Sequence, residues 1–105
     1  MMATGIKVRV KLKGHIAEVK SLMKHPMETG ARKDPDTGEL VPFHHIRQIS
    51  FVNNGTPVLL VNCSTAVARD PYFTFRFRNA QAGDKFTVNW VDTRGETDSI
   101  EMVLD

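Results

Sequence analysis

The side chains best suited to chemistry are His15, His25, His44, His45 and Cys63. A metal site would need three or four of these donors to converge on one ion. His44 and His45 are neighbours, and adjacent side chains on an extended strand project to opposite faces. Without an irregular backbone they cannot share an ion, so the pattern reads as surface or loop histidines and no metal is expected. Cys63 beside a histidine would be the minimum for thiolate catalysis. It follows the apolar run Val58-Leu59-Leu60-Val61 after Asn62, at a strand end, where most isolated cysteines are small core or edge residues. The glycine-rich phosphate loop, the G-x-S-x-G elbow and the H-E-x-x-H pair are all missing. The sequence therefore names no catalytic residue.

The charge balance is mild. Fourteen lysines and arginines face twelve acids in 105 residues, a formal charge of +2, which gives little support for a nucleic-acid partner. One stretch is one-sided: Lys7, Arg9, Lys11 and Lys13 alternate with Ile6, Val8, Val10 and Leu12. Such a basic strand face could attract an anionic ligand or an acidic partner. It also fits an edge strand whose lysines discourage sheet-to-sheet aggregation, and that second reading is preferred. No run of about 18 apolar residues suggests a membrane span. The opening residues contain no apolar stretch resembling a leader, and a single cysteine leaves no internal disulfide to form.

The elements that must position these groups read as strands. Alternation over Ile6–Lys13 predicts the first. Ile16–Met23 fits a strand or a helical stripe that Pro26 would limit to about two turns, and it is read as a strand paired with the first. A strand of about ten residues after Pro42 carries apolar groups on both faces, as a covered or bulged strand would. Asn53-Asn54-Gly55 predicts a hairpin turn into the run at Val58, whose continuous apolar character suggests burial. Phe73, Phe75 and Phe77 mark the clearest strand. Phe86, Val88 and Trp90 mark the next, and Asp92-Thr93-Arg94-Gly95 predicts a type I turn with a glycine bulge into Ile100, Met102 and Leu104. About seven strands in one domain, residues 1–105, predict an all-β, immunoglobulin-like sandwich of two antiparallel sheets.

Between His25 and Pro42 the turn signals Pro26, Gly30, Asp34-Pro35-Asp36 and Thr37-Gly38 lie close together. A loop of that length in a compact domain is often functional. With no catalytic motif, a subunit that holds a partner is the preferred functional class. The alternatives are a free-standing ligand-binding or adhesion-type sandwich and, third, a small thiol enzyme built on Cys63.

Several stretches resemble one known family. Met23-Lys24-His25-Pro26-Met27-Glu28-Thr29-Gly30, then Arg32-Lys33-Asp34, Thr37-Gly38-Glu39-Leu40 and Pro42-Phe43-His44-His45-Ile46, resemble SoxZ. The likeness continues through Lys11-Leu12-Lys13-Gly14, Asp70-Pro71-Tyr72-Phe73, Trp90-Val91-Asp92 and Gly95-Glu96-Thr97. The resemblance implies the partner half of the SoxYZ carrier of bacterial thiosulfate oxidation, a heterodimer in which SoxY bears the sulfur on a C-terminal cysteine arm. It implies no cofactor, no catalytic residue, no nucleic acid and no membrane. Other sulfur-oxidation enzymes would be met through the complex. The expected location is the periplasm, reached together with a partner that carries the export signal. Expected partner contacts are His25, Met27, Glu28 and Arg32 in the loop and Ile49, Phe51 and Val91 on outward strand faces. Cys63 lies outside the matching stretches and takes no carrier role.

Overall fold

Seven antiparallel strands build two sheets in a computed structural model that describes residues 5–64 and 70–105. Residues 1–4, read above for a leader, lie outside the described part. The strands are β1 (Ile6–Lys13), β2 (Ile16–Met23), β3 (Ile46–Asn53), β4 (Thr56–Asn62), β5 (Tyr72–Phe77), β6 (Lys85–Asp92) and β7 (Thr97–Val103). One sheet has the order β1-β2-β5 and the other β4-β3-β6-β7. Among the described residues there is no helix; none is long and apolar enough to cross a membrane. The expected all-β sandwich is the observed fold.

Alternation places the core. Ala17, Val19 and Met23 from β2 meet Ile49 and Phe51 from β3 and Phe86, Val88 and Trp90 from β6, all buried. Aromatic rings join the sheets. Phe51 meets Phe75 edge to face at 4.8 Å, and Phe77 stacks on Phe86 at 5.6 Å. The helical alternative for β2 fails because Ala17, Val19, Ser21 and Met23 all point inward in full register with β1.

The turns follow their local chemistry. Asn54 and Gly55 both take positive φ, 49° and 78°, which a two-residue hairpin of the right twist requires. At the β6–β7 turn the Gly95 N–H donates to the Asp92 carbonyl and Gly95 has φ 79°, the predicted turn with its bulged glycine. The both-sided β3 strand contains a register shift between Ile46 and Gln48. That shift brings Ile46 into the core beside Ile49 and Phe51.

Two expectations change. The run Val58–Val61 lies in β4, an edge strand, where Val58, Leu59 and Val61 are half-buried and Leu60 is 54% exposed. Its continuous apolar character therefore marks a sheet edge with an open outer face. Ile49 and Phe51, expected as partner contacts, are fully buried. Alternation with Gln48, Ser50 and Val52 leaves either side free to face outward, and the bulge at Ile46 hides which face is continuous with the core.

A buried carboxylate clasp

The segment from His25 to His45 is held as a narrow arm. Glu28 and His44 exchange backbone hydrogen bonds of 2.8 and 3.0 Å, and Lys33 bridges Leu40 farther out. The tip closes at Asp34, whose carbonyl accepts from the Gly38 N–H and whose carboxylate accepts from the Asp36 N–H. Arg32 reaches back to Glu28 through its Nε at 3.0 Å. Gly30 takes φ 87°, and a side chain there would meet Phe43 at 3.2 Å. The long loop of the sequence is a paired excursion from the sandwich.

At the root of this arm His25 and His44 converge on Asp92. His25 Nε2 lies 3.1 Å and His44 Nε2 2.6 Å from the same oxygen, Asp92 Oδ2. The other oxygen, Oδ1, accepts the backbone N–H groups of Arg94 and Glu96, each at 2.9 Å. One buried carboxylate thus closes the β6–β7 turn and fastens both ends of the arm to it. All of its acceptor capacity in this arrangement is used by N–H donors, the condition under which a buried charge is tolerated.

The proton positions follow from geometry. The Met27 N–H donates to His25 Nδ1 at 3.1 Å, so that nitrogen is an acceptor and the neutral ring carries its proton on Nε2. Nε2–H then donates to Asp92. Burial tends to raise the Asp92 pKa, but the donations from His25, His44, Glu96 and Arg94 outweigh it and hold the carboxyl down to about 2. Burial lowers the His25 pKa, assisted by the nearby His44 and opposed by Asp92.

His25, His44 and Asp92 also place three potential ligand atoms within 4.8 Å of one another. Their hydrogen bonding does not suit an ion. Coordination at His25 Nε2 would move its proton to Nδ1, which already faces the Met27 N–H. Metal-bound histidines instead donate from the second nitrogen to an acceptor. The cluster is a hydrogen-bonded clasp.

The expected site residues divide around it. His25 and Met27 are 4% and 5% exposed, so neither offers a surface for a partner. His25 is drawn inward because its backbone pairs with Asp70, carbonyl to N–H at 3.0 Å and N–H to carboxylate at 2.9 Å. Met27, at φ 49°, plugs the core and accepts the Ile46 N–H on Sδ. Glu28 is half-buried, Arg32 is exposed, and Val91 is half-buried on an outer sheet face. His44 turns inward and His45 away from it, toward Phe43, as adjacent extended residues must. Cys63 is half-buried against the core, and burial raises its thiol pKa, which favours the unreactive thiol. Asp92 and Trp90 were missed as parts of the site. The Trp90 ring meets His25 edge-on at 5.1 Å. The signal for Asp92 was its place at the start of a turn, where aspartate accepts nearby backbone N–H groups.

The fold and the site together define a two-sheet antiparallel sandwich carrying a paired arm clasped by a buried carboxylate. The profile described as "Sulphur oxidation protein SoxZ" matches residues 6–103. The chain belongs to the SoxZ family, whose members serve as subunits in sulfur oxidation. No curated protein matches the chain. Among solved structures, a superoxide reductase in the oxidized state aligns with a TM-score of 0.66 at 18% identity, over 97% of this chain and 88% of that one. At that identity the likeness is one of fold.

Proposed function

We propose that this chain is the non-catalytic half of a two-chain sulfur carrier. It pairs with SoxY and helps present the sulfur held on the SoxY cysteine arm to the enzymes of thiosulfate oxidation. The family match across residues 6–103 carries this reading. We place the complex in the periplasm, with this subunit exported alongside its partner.

The two sheets differ in what they show to the outside. On the outer face of β4-β3-β6-β7 the cross-strand row Leu60, Ser50, Asn89 and Ser99 is followed by Gln48, Val91 and Thr97. Neither row contains a charge. Charged residues are depleted at the centre of stable interfaces, and this face contains Val91, the one outward-pointing strand residue expected to touch a partner. SoxY is therefore assigned to this face. The arm contributes Leu40 and Phe43, 59% and 57% exposed, as further apolar contacts.

Replacing Val91 by Lys on this face tests the assignment. The expected result is a weakening of the heterodimer by at least about tenfold, the effect of forcing a charge into an uncharged contact. Unchanged affinity would remove the face from the interface.

A further inference from the structure

The outer face of the β1-β2-β5 sheet has the opposite character. Strand pairing puts Lys7 beside Leu22 and Tyr72, Arg9 beside Lys20 and Thr74, and Lys11 beside Glu18 and Arg76, with Lys13 and Ile16 beyond. Six of the chain's fourteen basic residues and one of its twelve acids stand on this surface. The remaining molecule therefore carries more acids than bases. The charges are segregated, and the small net charge conceals it.

Protection of a sheet edge accounts for lysines on β1, which is an edge strand. It does not account for Lys20 on the central strand β2, placed directly opposite Arg9. Like charges in that position repel and destabilise the pair. Among the described residues the ion pair on this face is Arg76 with Glu18, at 3.3 Å, which leaves the Arg9–Lys20 row uncompensated. Apolar groups flank the charges. Ile16 is 44% and Tyr72 60% exposed, at opposite ends of the sheet.

We propose that this face docks the acidic surfaces of the enzymes that visit the carrier, a role that rests on the carrier reading above. Three strands of six to eight residues present a surface roughly 20 Å long at about 3.3 Å per residue, too broad for one small anion. The exposed Tyr72 and Ile16 suit contact with protein. A duplex nucleic acid would meet repulsion from the acidic remainder. Segregated charge speeds and orients encounter with an oppositely charged partner, and a carrier that serves several enzymes in turn gains from fast, salt-sensitive docking. Such contacts can be exchanged quickly because surface attraction is screened over about 10 Å at 0.1 M salt.

The test uses the intact SoxY heterodimer carrying Arg9→Glu and Lys20→Glu together, with each purified thiosulfate-pathway enzyme that acts on the SoxY cysteine as probe. At low ionic strength KM for the carrier should rise about tenfold or more for at least one enzyme with kcat unchanged, and the difference should vanish near 0.5 M salt. Lys20→Glu alone should raise the denaturation midpoint, since it turns a repulsive pair into an attractive one. Unchanged KM for every enzyme would overturn the proposal. So would loss of the heterodimer itself, which would assign the face to SoxY. Tight binding of duplex DNA by the wild-type complex, abolished by the same reversal while KM stays fixed, would overturn it as well. If wild-type chain never forms the heterodimer, the carrier reading fails first, and sedimentation shows this before any kinetics are run.

Discussion

His25 and His44 lie edge to face with 4.6 Å between ring centroids, because both reach for the same oxygen of Asp92. The contact ties the end of β2 and the beginning of β3 to the β6–β7 turn. It sets the root of the arm that connects the two sheets.

Asp92→Ala should therefore destabilise the fold more than an ordinary turn substitution. It leaves the Nε2–H groups of His25 and His44 and two backbone N–H groups without their acceptor. Removing one partner from a buried charged network costs about 3–5 kcal/mol. Urea denaturation measures it, and a loss under about 1 kcal/mol would contradict the clasp.

Acid should weaken the protein in two stages. The folded-state pKa of His25 lies below its ordinary 6.5 because of burial, so the unfolded chain takes up that proton first. Stability is full above about pH 6.5 and declines as the pH falls below it. The Asp92 carboxyl, held near 2 against an ordinary 3.8, adds roughly 2 kcal/mol that is present above pH 3.8 and lost toward pH 2. Denaturation midpoints of wild type and His25→Gln across pH 4 to 8 check the upper stage. The glutamine variant should lose that slope.

Phe51→Ala separates core from interface. Phe51 is fully buried and touches the Phe75 and Phe86 rings. Its truncation should cost about 3–5 kcal/mol in the isolated chain. A stable variant with selectively weakened partner binding would restore Phe51 to the surface role that its alternation had suggested.

Cys63→Ser should leave carrier turnover unchanged. The thiol is half-buried and its pKa is raised by that burial, so little thiolate forms at neutral pH. Alkylation of the folded wild type by iodoacetamide should be slow relative to a free thiol. A variant that abolished turnover would establish a reactive cysteine.

The strands were legible because period-two alternation and the Asn54-Gly55 and Asp92–Gly95 turns depend on local rules. The clasp was not, since His25, His44 and Asp92 lie far apart in the chain and only the sheet order brings them together. His44 and His45 were correctly separated to opposite faces by strand geometry. Which face was inward could not be decided from alternation alone. At β3 one bulge residue reversed the assignment of Ile49 and Phe51. The basic stripe of β1 was visible, but its continuation to Lys20 and Arg76 required the register of three strands.

Sedimentation velocity on the chain co-expressed with SoxY bears most directly on the function. The account predicts a stable 1:1 heterodimer that survives purification and is required for thiosulfate-dependent turnover. Two independently sedimenting monomers, with this chain dispensable for turnover, would contradict it.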